Sequence, residues 1–275
     1  MGFQINNNLG ANNAFRNLNN TQNDMNKSLE RLSSGLRINR AADDAAGLSI
    51  SEGLRSQVSG LGVAQRNTQD GISVIGVAEG ALSEVHAILH RQRDLAVQAG
   101  NDSNNAASRT AIKTESDALS AELTRIAAST NFNGIKLLDG SDTALTFQVG
   151  AGGVAAEDQI DVALFDVTAV ATATAALTFD SSTNAAASVT ALDTQIAAVS
   201  AARSGLGASQ NRLESAGKSL AVAKENLGAA ESRIRDTDMA EEMVKYTKAN
   251  ILSQAGVSML AQANQSNQSV LKLLG

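Results

Sequence analysis

The residues with the clearest potential for chemistry are His86 and His90, the only two histidines in the chain. They are four positions apart, so a helix would place both imidazoles on one face, where they could bind a metal ion. No third ligand is evident beside them, and the stretch HAILH lacks the glutamate of an H-E-x-x-H metalloprotease. We therefore interpret the pair as surface histidines, and we predict no metal site and no cofactor.

Other catalytic patterns are incomplete in this sequence. Gly217-Lys218-Ser219 matches the end of a phosphate-binding loop, but Arg212 stands where that motif needs its first glycine. Cysteine is absent, which excludes thiol nucleophiles, disulfides and cysteine-based zinc sites. A Ser-His-Asp triad would have to recruit one of the two histidines, so we predict that the chain is not an enzyme.

Charge is distributed unevenly along the chain, whose net charge is −6. No lysine or arginine lies between Lys136 and Arg203, and this acidic stretch argues against nucleic acid as a partner because phosphate binding needs a basic face. Both ends are nearly uncharged: Met1–Asn23 carries only Arg16, and Ala249–Leu271 carries no charge. Chain ends normally lie in solvent, so uncharged, amphipathic ends indicate burial against something larger than one subunit.

No segment has the pattern of a membrane span or of a cleaved secretion signal. The first residues lack a basic region followed by an apolar run. Ala249–Leu271 is long enough to cross a bilayer, but nearly half of its residues are Asn, Gln or Ser, which is too polar for hydrocarbon. We predict no membrane insertion.

Long helices must position these residues, and the absence of proline allows helices to run unbroken. A first stripe with helical spacing comprises Leu18, Met25, Leu29, Leu32 and Leu36. It ends in Asn39–Gly47, where Asp43 and Asp44 are placed to start a second helix that runs to Ala99. A polar loop at Asn101–Asn105 separates that helix from a third.

The strongest periodicity is a strict heptad, formed by Leu206, Leu213, Leu220, Leu227 and Ile234. Alanines occupy the alternate positions, and large residues facing small ones specify coiled-coil-like packing. The pattern predicts a helix over residues 185–235, about 75 Å long at 1.5 Å per residue. Such a helix needs the N-terminal helices beside it to bury its stripe.

Between the helical halves, alternating patterns in Leu145–Val149 and Ile160–Leu164 predict strands, and Asn133-Gly134 predicts a hairpin turn. Residues 169–187 are interpreted as a Thr/Ala-rich surface segment. The predicted fold class is therefore mainly α, a long antiparallel helical rod with coiled-coil termini and a small β-hairpin region at the tip. In a monomer such weakly apolar stripes bury too little area to offset the ordering entropy, and contacts between copies that do not close into a ring form a helical filament.

Three long segments closely resemble bacterial flagellin: Arg31–Ile50, Asn67–Leu82 and Glu231–Gly275. The resemblance implies a structural subunit of the flagellar filament used for swimming, in a short form without large outer domains. It also implies a secreted protein that is exported uncleaved by the type III apparatus and located in the extracellular flagellum. The implied partners are other copies of the chain, the hook–filament junction and cap proteins, and an export chaperone that covers the C-terminal segment.

The same resemblance divides the chain into domains. Residues 1–42 and 236–275 correspond to an inner coiled-coil core domain, and residues 43–235 to an outer-core helical rod with a variable β/loop region near 140–184. The predicted assembly residues are the two stripes named above, together with Ile251, Val257 with its neighbour Ser258, Leu260 and Leu271. Three residues match family positions that contact the host Toll-like receptor 5, namely Arg91, Leu95 and Glu115.

Two alternative functions remain open from the sequence. A hook–filament junction protein shares the terminal architecture but caps a few subunits, whereas a flagellin builds the whole filament. A binding module would instead use the acidic middle as an adhesin or receptor ligand.

Overall fold

The computed structural model describes the backbone of residues 8–274 and the side chains of residues 8–265. The helices of this part of the chain are α1 (Leu9–Ser34), α2 (Ala45–Ala99), α3 (Ala106–Ser129), α4 (Ala155–Asp158), α5 (Val167–Ala175), α6 (Ser182–Arg235) and α7 (Met239–Leu274). The strands are β1 (Asn131–Phe132), β2 (Ile135–Lys136), β3 (Ala144–Gln148) and β4 (Gln159–Ala163). The predicted mainly α class with a few small antiparallel strands is confirmed.

The chain forms two compact units. The terminal unit comprises Met1–Ser56 and Asn226–Gly275, and the central unit comprises Gln57–Glu225. The domains predicted above concern layers of a filament, so their boundaries at residues 42 and 236 stay a prediction.

In the terminal unit, α1 and α7 run antiparallel and pack against each other. Asn8 caps α1 by accepting a hydrogen bond from the amide three residues on, and it donates another to the Ala263 carbonyl of α7, both at 3.0 Å. Gly35 ends α1 in the left-handed conformation, with φ at 74°. An antiparallel backbone bridge between Leu36 and Asp236 then joins the end of α1 to the turn between α6 and α7.

The central unit has a continuous apolar core. The largest contribution from α2 comes from Ile75, Leu82, Val85, Leu89 and Leu95, and that from α6 comes from Leu192, Val199, Leu206 and Leu213. The predicted long helix over 185–235 is confirmed by α6. A Cβ on Gly71 would lie 3.1 Å from Leu213 and 3.2 Å from Phe147, so glycine at this position lets α2 approach both neighbours closely.

Within the described residues, α2 alone is long and apolar enough by composition to cross a membrane. Core helices pass the same test, and the apolar side chains of α2 named above are buried by the protein's own packing.

A buried polar network joins α2, α3 and α5. Gln92 is fully buried, and its amide nitrogen donates to the Ser116 carbonyl at 3.1 Å and to Ser120 Oγ at 2.9 Å. Ser120 Oγ in turn donates to Thr174 Oγ1 at 3.2 Å. Because buried polar groups are costly unless they are hydrogen-bonded, this network fixes how the three helices pack.

The interpretation of residues 169–187 as a surface segment is wrong. Val170, Ala171 and Thr174 of α5 are buried against α3, and Leu177 and Phe179 after it are buried too. Small side chains at helical spacing let α5 lie close to its neighbour, and Asp166 caps its first turn by accepting hydrogen bonds from two backbone amides.

The predicted strands and hairpin turn are confirmed. β3 and β4 pair antiparallel, with Leu145 opposite Val162 and Phe147 opposite Ile160. β1 and β2 are joined by Asn133 and Gly134, whose φ angles are 51° and 83°. Two positive φ values are what a type I′ hairpin turn requires.

Candidate assembly surface

The terminal unit has a very small internal core. Among its described residues, Ile38 and Ala249 are the only buried apolar side chains. Since apolar burial is the main favourable term in folding, α1 and α7 gain little stability from each other within one chain.

Helix α7 carries many apolar side chains that its packing against α1 leaves exposed. Its exposed apolar side chains, here called the α7 outer face, are Met239, Met243, Val244, Ile251, Leu252, Val257 and Met259. Met243, Val244, Ile251 and Leu252 also line a shallow open groove with Thr247 and Lys248. On α1, Leu9, Phe15 and Leu29 are exposed as well. Contiguous exposed apolar surface marks an interaction site.

The predicted assembly residues fall into three groups. Leu206, Leu213 and Leu220 are buried inside the central unit, so their contribution within one chain is to folding. The half-buried residues are Leu18, Met25, Leu32, Leu36, Leu227, Ile234 and Leu260. The exposed residues are Leu29, Ile251, Val257 and Ser258. The side chain of Leu271 lies outside the described residues.

Sequence reasoning missed the first half of the α7 outer face. Met243, Val244 and Leu252 were not singled out, because charged residues such as Glu241 and Lys245 lie among them and hide the apolar positions. The signal that could have found them is the apolar surface left over after the α1-facing positions of the helix are assigned.

One carboxylate is buried between α1 and α7. Glu242 lies 3.9 Å from Arg31 of α1 and 3.7 Å from Lys245, one turn along α7. Because a buried charge costs free energy unless a cation faces it, Arg31 favours one register of α1 against α7.

The two histidines lie on α2 with their Nε2 atoms 2.9 Å apart and their rings edge to face. Burial lowers the pKa of His86, and the positive charges of His90 and Arg203 lower that pKa further. In the part of the chain that the structure describes, no group of three or more His, Cys, Asp or Glu side chains is arranged to hold a metal ion. Gly217–Ser219 lies inside α6 and forms no phosphate-binding turn.

Comparison with protein families gives two matches. A family described as the bacterial flagellin N-terminal helical region matches residues 5–143, and one described as the bacterial flagellin C-terminal helical region matches residues 189–274. The chain belongs to the bacterial flagellin family. It is a structural subunit of the flagellar filament and not an enzyme.

Individual flagellins are similar over nearly the whole chain. The flagellin of Halalkalibacterium halodurans is 53% identical over 271 residues, which cover 98% of this chain and 99% of that protein. The flagellin of Bacillus subtilis is 47% identical over 311 residues, covering 99% and 100%. The crystal structure of Bacillus cereus flagellin is 33% identical with a TM-score of 0.50, and the match covers 56% of this chain and 88% of that one.

The three residues predicted from the resemblance to contact a host receptor lie in the central unit. Arg91 on α2 and Glu115 on α3 are exposed and form an ion pair at 2.7 Å. Leu95 is only 1% exposed and belongs to the core, so its side chain supports α2 and is not presented at the surface.

Proposed function

We propose that this flagellin polymerises through its terminal unit, with the α7 outer face and the exposed apolar residues of α1 buried against neighbouring copies. The observation that carries the proposal is the contrast within this unit between a very small internal core and a large exposed apolar surface. Burying a Val, Leu, Ile or Met side chain contributes about 1.5–3 kcal/mol. Contacts between copies therefore offer the terminal unit more apolar burial than one chain can provide.

A double variant tests this proposal directly. Val244→Ser with Ile251→Ser removes two exposed apolar side chains from the groove on α7 without touching the internal core. Seeded polymerisation of the purified chain should show a critical concentration raised at least about tenfold, because tenfold corresponds to about 1.4 kcal/mol. The matched control is Val222→Ser, which changes an exposed valine of α6 in the central unit.

The monomeric double variant should keep the circular dichroism spectrum of the parent, since both positions are exposed. If it polymerises at the parent's critical concentration, the proposed surface is wrong. Deletion of residues 1–15 or 261–275 is a second test, and each truncated chain should remain soluble but fail to form filaments.

The layers of the filament follow from the same proposal. Residues 1–42 and 236–275 would form the inner coiled-coil core, and residues 43–235 the outer core. Cysteine substitutions of exposed residues in each range, labelled in assembled filaments, should give low labelling for Val244→Cys and high labelling for Val222→Cys.

The remaining partners also belong to this proposal. The chain is exported by the type III apparatus to the extracellular flagellum. There the filament begins at the hook–filament junction proteins, and new copies of the chain are added beneath the cap. An export chaperone that covers α7 before export would mask the same apolar surface that later contacts other copies. Recovery of the chain as the abundant protein of sheared surface filaments would separate this function from that of a hook–filament junction protein, which is present in few copies.

A second function rests on the exposed pair of Arg91 and Glu115. We propose that recognition by Toll-like receptor 5 uses these two side chains and not the buried Leu95. Arg91→Ala should weaken activation of a receptor reporter cell line by monomeric protein, whereas Arg125→Ala, which removes a different exposed arginine paired with Glu122 on α3, should not.

A further inference from the structure

The two histidines, interpreted from the sequence as surface residues, lie in the central unit, whereas the proposed assembly surface belongs to the terminal unit. His90 is exposed and His86 is half-buried, and their Nε2 atoms face each other at 2.9 Å. At this distance only one proton fits between the two nitrogens, so one of them presents a lone pair, and the other can bind a metal once its proton moves to Nδ1 of the same ring. We propose that His86 and His90 form a bidentate site for a divalent transition metal with square-planar or octahedral geometry, and that Cu(II) is its preferred ion.

The distance between the two nitrogens fits a square-planar or octahedral ion better than a tetrahedral one. Metal–imidazole bonds are about 2.1 Å long, so two nitrogens 2.9 Å apart subtend an angle of about 90° at the metal. That is the angle between neighbouring ligands of square-planar and octahedral ions. Tetrahedral Zn(II) needs about 109°, which corresponds to nitrogens about 3.4 Å apart. Among first-row divalent ions, Cu(II) also binds nitrogen ligands most tightly.

The surrounding charges are compatible with a bound cation. Arg203 of α6 lies near His86, but its guanidinium is paired with Glu79 at 2.7 Å. The second carboxylate oxygen of Glu79 is buried and has no hydrogen-bond partner. Asp94 follows His90 by four residues, so its carboxylate lies on the same side of α2 and adds negative charge.

The helix itself makes the site ready for binding. α2 runs unbroken through both positions, so the backbone holds the two residues one turn apart before any metal arrives. Preorganisation of this kind raises affinity because little conformational freedom is lost on binding. The other coordination positions of the metal remain open to water.

Copper titration of the purified, full-length monomer tests the proposal. The chain has no other histidine and no cysteine, so His90→Gln leaves a single imidazole and removes the chelate. At pH 7.5 in a non-coordinating buffer, we expect the parent to bind one Cu(II) with an electron paramagnetic resonance spectrum that shows two equatorial nitrogens. His90→Gln should bind about a hundredfold more weakly, and the parent should bind Zn(II) more weakly than Cu(II).

Two controls make the result decisive. His90 is exposed, so His90→Gln should keep the parent's helicity and melting temperature without metal. The double variant His86→Gln with His90→Gln has no imidazole, so the copper that it binds is the background from other groups such as the N-terminal amine. This background is subtracted from the binding curves of the parent and of His90→Gln. Equal copper affinity in the parent and in His90→Gln would overturn the proposal, as would a spectrum without two equatorial nitrogens.

Discussion

At the scale of single residues, Leu220 and Val222 test the heptad seam of α6. Leu220 is 8% exposed, whereas Val222, two positions later, is 59% exposed. Leu220→Asp removes a buried apolar side chain and puts a carboxylate in its place, so we expect a loss of more than about 3 kcal/mol of unfolding free energy. Val222→Asp should change it by less than about 0.5 kcal/mol. Denaturant unfolding followed by circular dichroism measures both, and equal stability of the two variants would contradict the seam.

A pair of glycines on α2 gives a second test at this scale. A Cβ on Gly71 would meet Leu213 and Phe147 at 3.1–3.2 Å, whereas a Cβ on Gly76 would meet no atom within 4 Å. Gly71→Ala should therefore lower the free energy of unfolding by about 1–3 kcal/mol, because the added methyl group overpacks the contact. Gly76→Ala should raise stability by up to about 1 kcal/mol, because alanine is the better helix former. In thermal melts, the melting temperature should fall below that of the parent for Gly71→Ala and rise above it for Gly76→Ala.

How much a residue's environment could be predicted depended on its neighbours in the sequence. Leu206 and Leu213 belong to a strict heptad, and their burial follows from spacing alone. Val244 lies among charged residues in the sequence. That it belongs to an exposed apolar surface could be recognised only once the position of α1 on α7 was known. The 2.9 Å distance between His86 and His90 depends on side-chain rotamers, which spacing does not determine.

At the scale of elements, the connection between α1 and α2 contains a carboxylate that stabilises a turn. Hydrogen bonds from the backbone amides of Arg40 and, to a lesser extent, Asn39 lower the pKa of Asp43 below its ordinary value of 3.8. Because the folded-state pKa lies below the unfolded value, this contribution is present above pH 3.8 and is lost as the pH falls through the folded-state pKa.

Asp43→Asn should therefore reduce the difference in melting temperature between about pH 6 and pH 2 relative to the parent. The effect should be small, because the carboxylate is exposed to solvent. Asp70→Asn, at an exposed position of α2, is the control. A steeper pH dependence in Asp43→Asn than in the parent would contradict the assignment.

Elements with strong local signals were predictable, and those defined by tertiary packing were not. Asn133 and Gly134 specify their turn because few residues adopt two successive positive φ angles. α5 was missed because its buried residues, such as Ala171 and Thr174, are small and only weakly apolar. Their burial comes from close contact with α3, which local sequence does not reveal.

At the scale of the whole molecule, the two units should differ in local stability. The central unit contains the continuous apolar core, while Ile38 and Ala249 are the buried apolar side chains in the described part of the terminal unit. Hydrogen exchange in the monomer should be fast in α1 and α7 and slow in residues 74–99 of α2, since local opening is easiest where few apolar contacts are buried. In filaments, exchange in α1 and α7 should slow markedly. Equal exchange in monomer and filament would contradict assembly through the terminal unit.

The small core of the terminal unit also has a thermodynamic consequence. If most apolar burial by α1 and α7 occurs only between copies, the addition of one subunit to a filament includes a folding reaction. Large apolar burial gives addition a strongly negative change in heat capacity. The free energy of elongation then varies with temperature along a curve, and cooling weakens the filament as it weakens a hydrophobic core.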